Sequence, residues 1–338
     1  MGRTILALSG ENVVIMAGDC SVTIMPALGG KISSLRIGPH ELLHAPLNPY
    51  EQRNQTMGFS DGDASGWDEC LPSVAECSVT TEAGSATIPD HGDLWRVPWH
   101  VIESTEDSVT LRARCFSLPL ELTRSLILSE TSSGWKIRLL YSLVNLGNYR
   151  VPWAWTAHPL FVCEEGDRIV LPSGVRSLRL EDSRANRLGT RGDAVIWPMA
   201  KVMTEVMAKA IAKPIDGTAL GEAWDDLDDL SRAHTECSGR ADKLFAGPMQ
   251  EGWSQLERAA IGLRIKVGFD PAITPYLGLW LCYGGWPEGH ELKQVCVALE
   301  PATAPVDSLA ETGGWSRLLD PGVTVNWPME VDIERLAG

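Results

Sequence analysis

The 338-residue sequence has no apolar run near the ~18 residues that cross a bilayer as a helix, so no membrane span is expected. It lacks G-x-G-x-x-G and G-x-x-x-x-G-K-[ST], the glycine patterns that cradle dinucleotide and nucleoside triphosphate phosphates. None of its eight cysteines forms a C-x-x-C pair, and several, such as Cys296 in Val295-Cys-Val-Ala298, sit inside apolar runs. That usage predicts buried free thiols rather than a disulfide framework or a zinc site. Cations are few: 29 Lys and Arg against 44 Asp and Glu leave a net charge of −15. Such a surface repels nucleic acid and anionic lipid, so neither is an expected partner. The first ten residues carry one Arg and a four-residue apolar patch, too short for a secretory signal, and the chain is expected to be cytoplasmic.

Phe and Tyr number only five each, but there are 13 Trp. A large core accounts for many of these. A sugar site accounts for others, because a flat indole packs on the apolar face of a pyranose. The dominant period is two. Trp135, Ile137, Leu139, Tyr141 and Leu143 alternate with more polar neighbours, and so do Leu263, Ile265, Val267 and Phe269. Segments 12–16, 20–25, 31–37, 98–104, 108–114, 293–299 and 322–327 also read as strands, with Gly, Pro, Asn and Asp between most of them. Many short alternating strands predict an all-β, antiparallel sandwich or large barrel. No linker or fixed-period repeat divides the chain, so residues 1–338 are expected to form one domain. The exception to the period is 199–230, where Met199, Val202, Met203, Val206, Met207 and Ile211 follow helical spacing; a partly helical insertion is expected there.

His40-Glu41-Leu42-Leu43-His44 matches the zinc-protease pattern H-E-x-x-H. That chemistry needs both imidazoles on one face of a continuous helix. Pro39 and Pro46 leave under two turns between them, and the preceding strand and Gly38-Pro39 turn predict a returning strand instead. No metal site is assigned.

Three other segments hold groups suited to acid–base chemistry. His91 lies in the loop Pro89-Asp-His-Gly92, and loops concentrate site residues. His158 lies in Trp153-Ala-Trp-Thr-Ala-His-Pro159, where Pro159 keeps it extended. Glu300 closes the apolar run Val295-Cys-Val-Ala-Leu299 against Pro301. Together with Met25-Pro-Ala-Leu-Gly-Gly-Lys-Ile32, Gly66-Trp-Asp-Glu-Cys-Leu-Pro72, Trp95-Arg96, Pro275-Tyr-Leu-Gly-Leu-Trp280 and Gly284-Gly-Trp-Pro287, these segments resemble the galactose mutarotase-like family, the aldose 1-epimerases and their hexose-phosphate epimerase relatives. The motifs are short, but they spread over most of the chain.

The resemblance implies a large antiparallel β-supersandwich and a cofactor-free reaction in which an aldose ring opens and recloses on its other anomeric face. It implies Glu300 as base and His158 as acid. His91 and Arg96 would hold sugar oxygens, Asp68 and Glu69 would line the cleft, and Trp280 or Trp155 would stack on the ring. A phosphosugar would need clustered Lys and Arg. The only local excess, Arg184, Arg187 and Arg191, reads as a solvated loop, so a neutral small-molecule sugar is expected. A non-catalytic sugar-binding protein and a carbohydrate-active lyase or hydrolase remain alternatives on the same scaffold. A homo-oligomer stays open.

Overall fold

The computed structural model describes residues 11–200, 228–311, 313–315 and 317–336. The strands expected at 12–16, 20–25, 31–37, 98–104 and 108–114 are Val13–Ala17, Cys20–Met25, Lys31–Ile37, His100–Ser104 and Ser108–Arg114. Alternation specifies them. In Leu263–Phe269 every second side chain, from Leu263 to Phe269, is buried and those between are half-buried. One face of such a strand meets the core and the other meets solvent.

Among the described residues, two large antiparallel sheets form the body. One has eleven strands and the other eight. The eight-stranded sheet is built around the long neighbours Leu120–Glu130, Gly134–Asn145 and Thr324–Arg335. The eleven-stranded sheet carries at its centre, in spatial order, Trp67–Cys70, Thr156–Val162, Val295–Ala302, Tyr276–Tyr283 and Arg240–Ala246. One continuous apolar cluster joins the facing sides of both sheets, including Leu122, Leu139, Phe161, Leu244, Leu279, Leu299 and Val331. The molecule is therefore a large antiparallel β-sandwich, one of the two architectures that the residue pattern allows and the one that the resemblance implies.

The five central strands do not alternate in polarity, because both of their faces are covered. Val297 and Leu299 enter the inter-sheet core, while Cys296, Ala298 and Ala302 pack in smaller clusters on the opposite face. That opposite face carries the site. The insertion expected at 199–230 begins and ends on a two-stranded ladder, Met199–Ala200 with Asp228–Asp229; residues 201–227, where partly helical structure was expected, lie outside the described residues. No helix among the described residues is long and apolar enough to cross a membrane. All eight cysteines are free, five of them buried.

The H-E-x-x-H segment is a returning strand, with Glu41 opposite Arg36 and His40 opposite Ile37. Glu41 accepts the Leu35 and Leu43 backbone N–H groups at 2.9 and 3.1 Å, and His44 Nε2 accepts the Val295 N–H at 3.3 Å. These bonds close the turn and dock it on the sheet.

Candidate functional site

Register across the central strands aligns the reactive groups. His158 pairs with Asp68 on one side. On the other, the Leu160–Ala298 pair sets His158 beside Glu300. Glu300 in turn faces Gly278, and Lys243 faces Trp280. His158 Nε2 lies 3.6 Å from Glu300 Oε1, a buried atom with no hydrogen-bond partner among the described residues. Lys243 Nζ donates to the second oxygen, Glu300 Oε2, so the fully buried carboxylate lies between an imidazole and an ammonium. Gly278 makes that contact sterically feasible. A Cβ there would stand 2.8 Å from Glu300 Oε2 and 3.2 Å from the Phe245 ring.

A cavity of about 300 Å³ opens above this floor, within the size range of small-molecule sites. Phe59, His91, His158, Lys243, Trp280 and Asp307 form much of its wall. Glu300 lies beneath the wall, covered by His158 and Lys243. The His91 ring stacks on Phe59 at 3.7 Å and meets the His158 ring edge-on at 5.3 Å. Trp280 Nε1 donates to Gln294 Oε1 at 3.0 Å, and Gln294 Nε2 donates to the Ala64 carbonyl at 2.8 Å, which fixes the indole orientation.

The His91 turn is backbone-driven. His91 and Gly92 both adopt left-handed φ, +58° and +71°. A Cβ on Gly92 would collide with the Leu71 carbonyl at 2.3 Å, so only glycine fits there. Arg96 holds the turn from below. Its guanidinium donates to the Asp90 carbonyl, to the Gly92 carbonyl at 2.6 Å and to the Met57 carbonyl at 3.0 Å, and it stacks over Trp95.

The charges are arranged unevenly. Burial pushes the His158 pKa well below 6.5, and the neighbouring His91, Lys243 and Lys31 push it the same way, so the ring is neutral at pH 7. Burial opposes the charge on Lys243 as well, but the Glu300 and Asp307 carboxylates outweigh it and hold the ammonium above its usual range. Burial pushes the Asp307 carboxyl up to about 6; Lys243 opposes this, while the Glu300 and Glu181 charges add to it. Asp307 Oδ1 lies 3.8 Å from Lys243 Nζ and has no hydrogen-bond partner among the described residues.

Of the residues singled out in the sequence, His91, His158, Glu300 and Trp280 come together here. The other four are not part of the cavity wall. Arg96 is under the His91 turn. Asp68 is buried in an ion pair with Lys31, which also lies 3.0 Å from Asp63. Glu69 and Trp155 face the inter-sheet core. Adjacent residues on a strand point to opposite faces, so Asp68 and Glu69 cannot share one cleft. Glu69 accepts Arg124 Nη1, Tyr141 Oη and Trp155 Nε1, each at 2.9 Å. Glu69→Ala would strand the Arg124 guanidinium, which is fully buried. It is expected to lower stability by about 3–5 kcal/mol in urea unfolding and to leave ligand affinity unchanged.

Lys243, Asp307, Phe59, Trp286 and Gln294 were not singled out as site residues. Trp286 alone had a signal, within Gly284-Gly-Trp-Pro287. Lys243 sits in Arg240–Ala246, a strand buried on both faces whose sequence shows no clean alternation. The arginines at 184, 187 and 191 are committed elsewhere: Arg184 to Glu288 and the Gly239 carbonyl, Arg187 to Asp228 and Asp242, and Arg191 to Glu181 and Glu311.

No protein-family model matches the chain, and no curated protein matches it in sequence. Solved structures do match in shape. A Synechocystis protein superposes with TM-score 0.64 at 17% identity, covering 98% of this chain and 99% of its own. A candidate aldose 1-epimerase from Escherichia coli K12 gives 0.65 at 16% identity, covering 96% and 99%. A galactose mutarotase-like protein from Lactobacillus casei gives 0.63 at 14% identity, covering 96% and 100%. At such identities the likeness concerns the fold. Over nearly its whole length, the chain has the galactose mutarotase-like β-sandwich fold.

Proposed function

We propose that this protein is an aldose 1-epimerase, interconverting the anomers of a free monosaccharide by acid–base ring opening. One observation carries the reading. An imidazole and a carboxylate from strands some 140 residues apart in sequence approach to 3.6 Å at the floor of a sugar-sized, aromatic-walled cavity. Ring opening needs one group to take the proton of the anomeric hydroxyl and another to protonate the ring oxygen; reclosure reverses the roles. Glu300 is the acceptor and His158 the donor, acting from its imidazolium form, which burial makes the minor form at pH 7. The carboxylate beside His158 favours its charged form during transfer. His91 and Trp280 are placed to hold the sugar, Trp280 through its ring face.

The wall also indicates the substrate's charge. Among the described residues, Asp90, Asp182 and Asp307 line the cavity against one lysine, Lys243, so a phosphorylated or acidic sugar meets net repulsion. Polarimetry across a panel of free aldoses and their phosphates tests the reading. Accelerated mutarotation of at least one free aldose, with its phosphate turned over more slowly, is the expected result. Binding without acceleration would favour a sugar-binding role, and cleavage of an oligosaccharide would favour a hydrolase or lyase.

A further inference from the structure

Resting on that reading, the arrangement around Glu300 leads further. Glu300 is the intended base, yet it has no place in the cavity wall; Lys243 does, and Lys243 covers one of its oxygens. A sugar hydroxyl reaches that oxygen only if the ammonium gives way. A second acceptor stands close by. Asp307 Oδ1, 3.8 Å from Lys243 Nζ, is buried, unpartnered and part of the same wall. The lysine stem lies along Phe245, with Nζ 5.4 Å from the ring centroid, and Gly278 puts no side chain between Lys243 and Glu300. A short movement of the ammonium therefore keeps it beside a carboxylate, while the incoming sugar hydroxyl takes its place as the hydrogen-bond donor to Glu300.

We propose that Lys243 is a third working residue of this site: its ammonium caps Glu300 in the empty cavity and shifts toward Asp307 when a sugar binds, donating to a sugar oxygen beside the one held by Glu300. In that position it supplies the fixed positive charge of the site, next to the oxygen on which negative charge grows as the proton leaves. No bond to Lys243 forms or breaks, and the proton exchange stays with Glu300 and His158. Asp307 is a positioning residue, acting through Lys243.

The test uses the full chain with the lysine methylenes carbon-13 labelled, the Lys243 ε-signal being identified by its loss in Lys243→Met. Saturation with an aldose that binds, as read by tryptophan fluorescence, is expected to shift that signal, and Asp307→Asn to reduce the shift. Lys243→Met is expected to lower kcat by about 10²–10³-fold, the loss typical of one preorganised donor, with KM within threefold. Asp307→Asn should lower kcat by about tenfold, with KM again little changed. Because Lys243→Met leaves Glu300 uncompensated, rates are taken per mole of folded protein. Lys243→Met/Glu300→Gln, which removes both charges, serves as a stability control. An unmoved Lys243 signal at saturation, or unchanged kcat in Lys243→Met, overturns the proposal while the epimerase reading stands. Failure of every aldose to bind or turn over in the unmodified protein overturns both.

Discussion

Replacing Glu300 with glutamine is expected to slow anomer interconversion by about 10²–10⁴-fold, the contribution typical of a positioned acid–base group. Sugar binding should survive. Glutamine keeps the side-chain length, and its amide oxygen can still accept from Lys243, so the packing of this fully buried position changes little. What is lost is a group able to take a proton. Polarimetric rates together with tryptophan fluorescence titration separate the two effects. Unchanged rates would remove Glu300 from the mechanism and leave it as the buried counter-ion of Lys243.

The second large effect is expected at His158. His158→Ala should slow the reaction by a similar factor, about 10²–10⁴-fold. Loss of folding with unchanged activity per folded molecule would instead mark His158 as a packing residue. The same side chain also makes a pH prediction. Its pKa is held well below 6.5 in the folded protein and returns to about 6.5 when the chain unfolds. Below about pH 6.5 the unfolded chain therefore binds more protons, and stability falls as pH drops. Above that pH the contribution is fully present. His44, also lowered by burial, adds to the same slope. Urea unfolding between pH 7.5 and 5 should show a shallower loss of stability in His158→Asn than in the unmodified protein. An identical slope in the two would mean that His158 is already charged in the folded state.

Strands with one solvated face could be read directly, because their alternation is a direct record of burial. Leu263–Phe269 and Gly134–Asn145 are of this kind. Thr156–Val162, Tyr276–Tyr283 and Arg240–Ala246 were harder to read, since a site on one face and the core on the other bury nearly every residue. His91, His158 and Glu300 were recognisable because each stands out against its own segment: a histidine in a tight Asp-His-Gly turn, a histidine before proline, an acid after five apolar residues. Arg96 and Trp155 stood out in the same way, but their hydrogen bonds are spent on the backbone of a turn and on a core carboxylate.

The sequence alone determined the all-β architecture and the returning strand at His40–Glu41, and it singled out His158 and Glu300 as candidates for acid–base chemistry. Each of these depends on local period, local backbone restriction or residue chemistry. Only the tertiary structure decided which face each side chain takes and what it meets there. Packing turned Glu69 rather than Asp68 toward the inter-sheet core, register brought Lys243 over Gly278 onto Glu300, and the fold set Asp307 within reach of the same ammonium. Those relations join residues from four distant segments, and a pairing register between strands is set by the packing of the whole sandwich rather than by any stretch of chain within it.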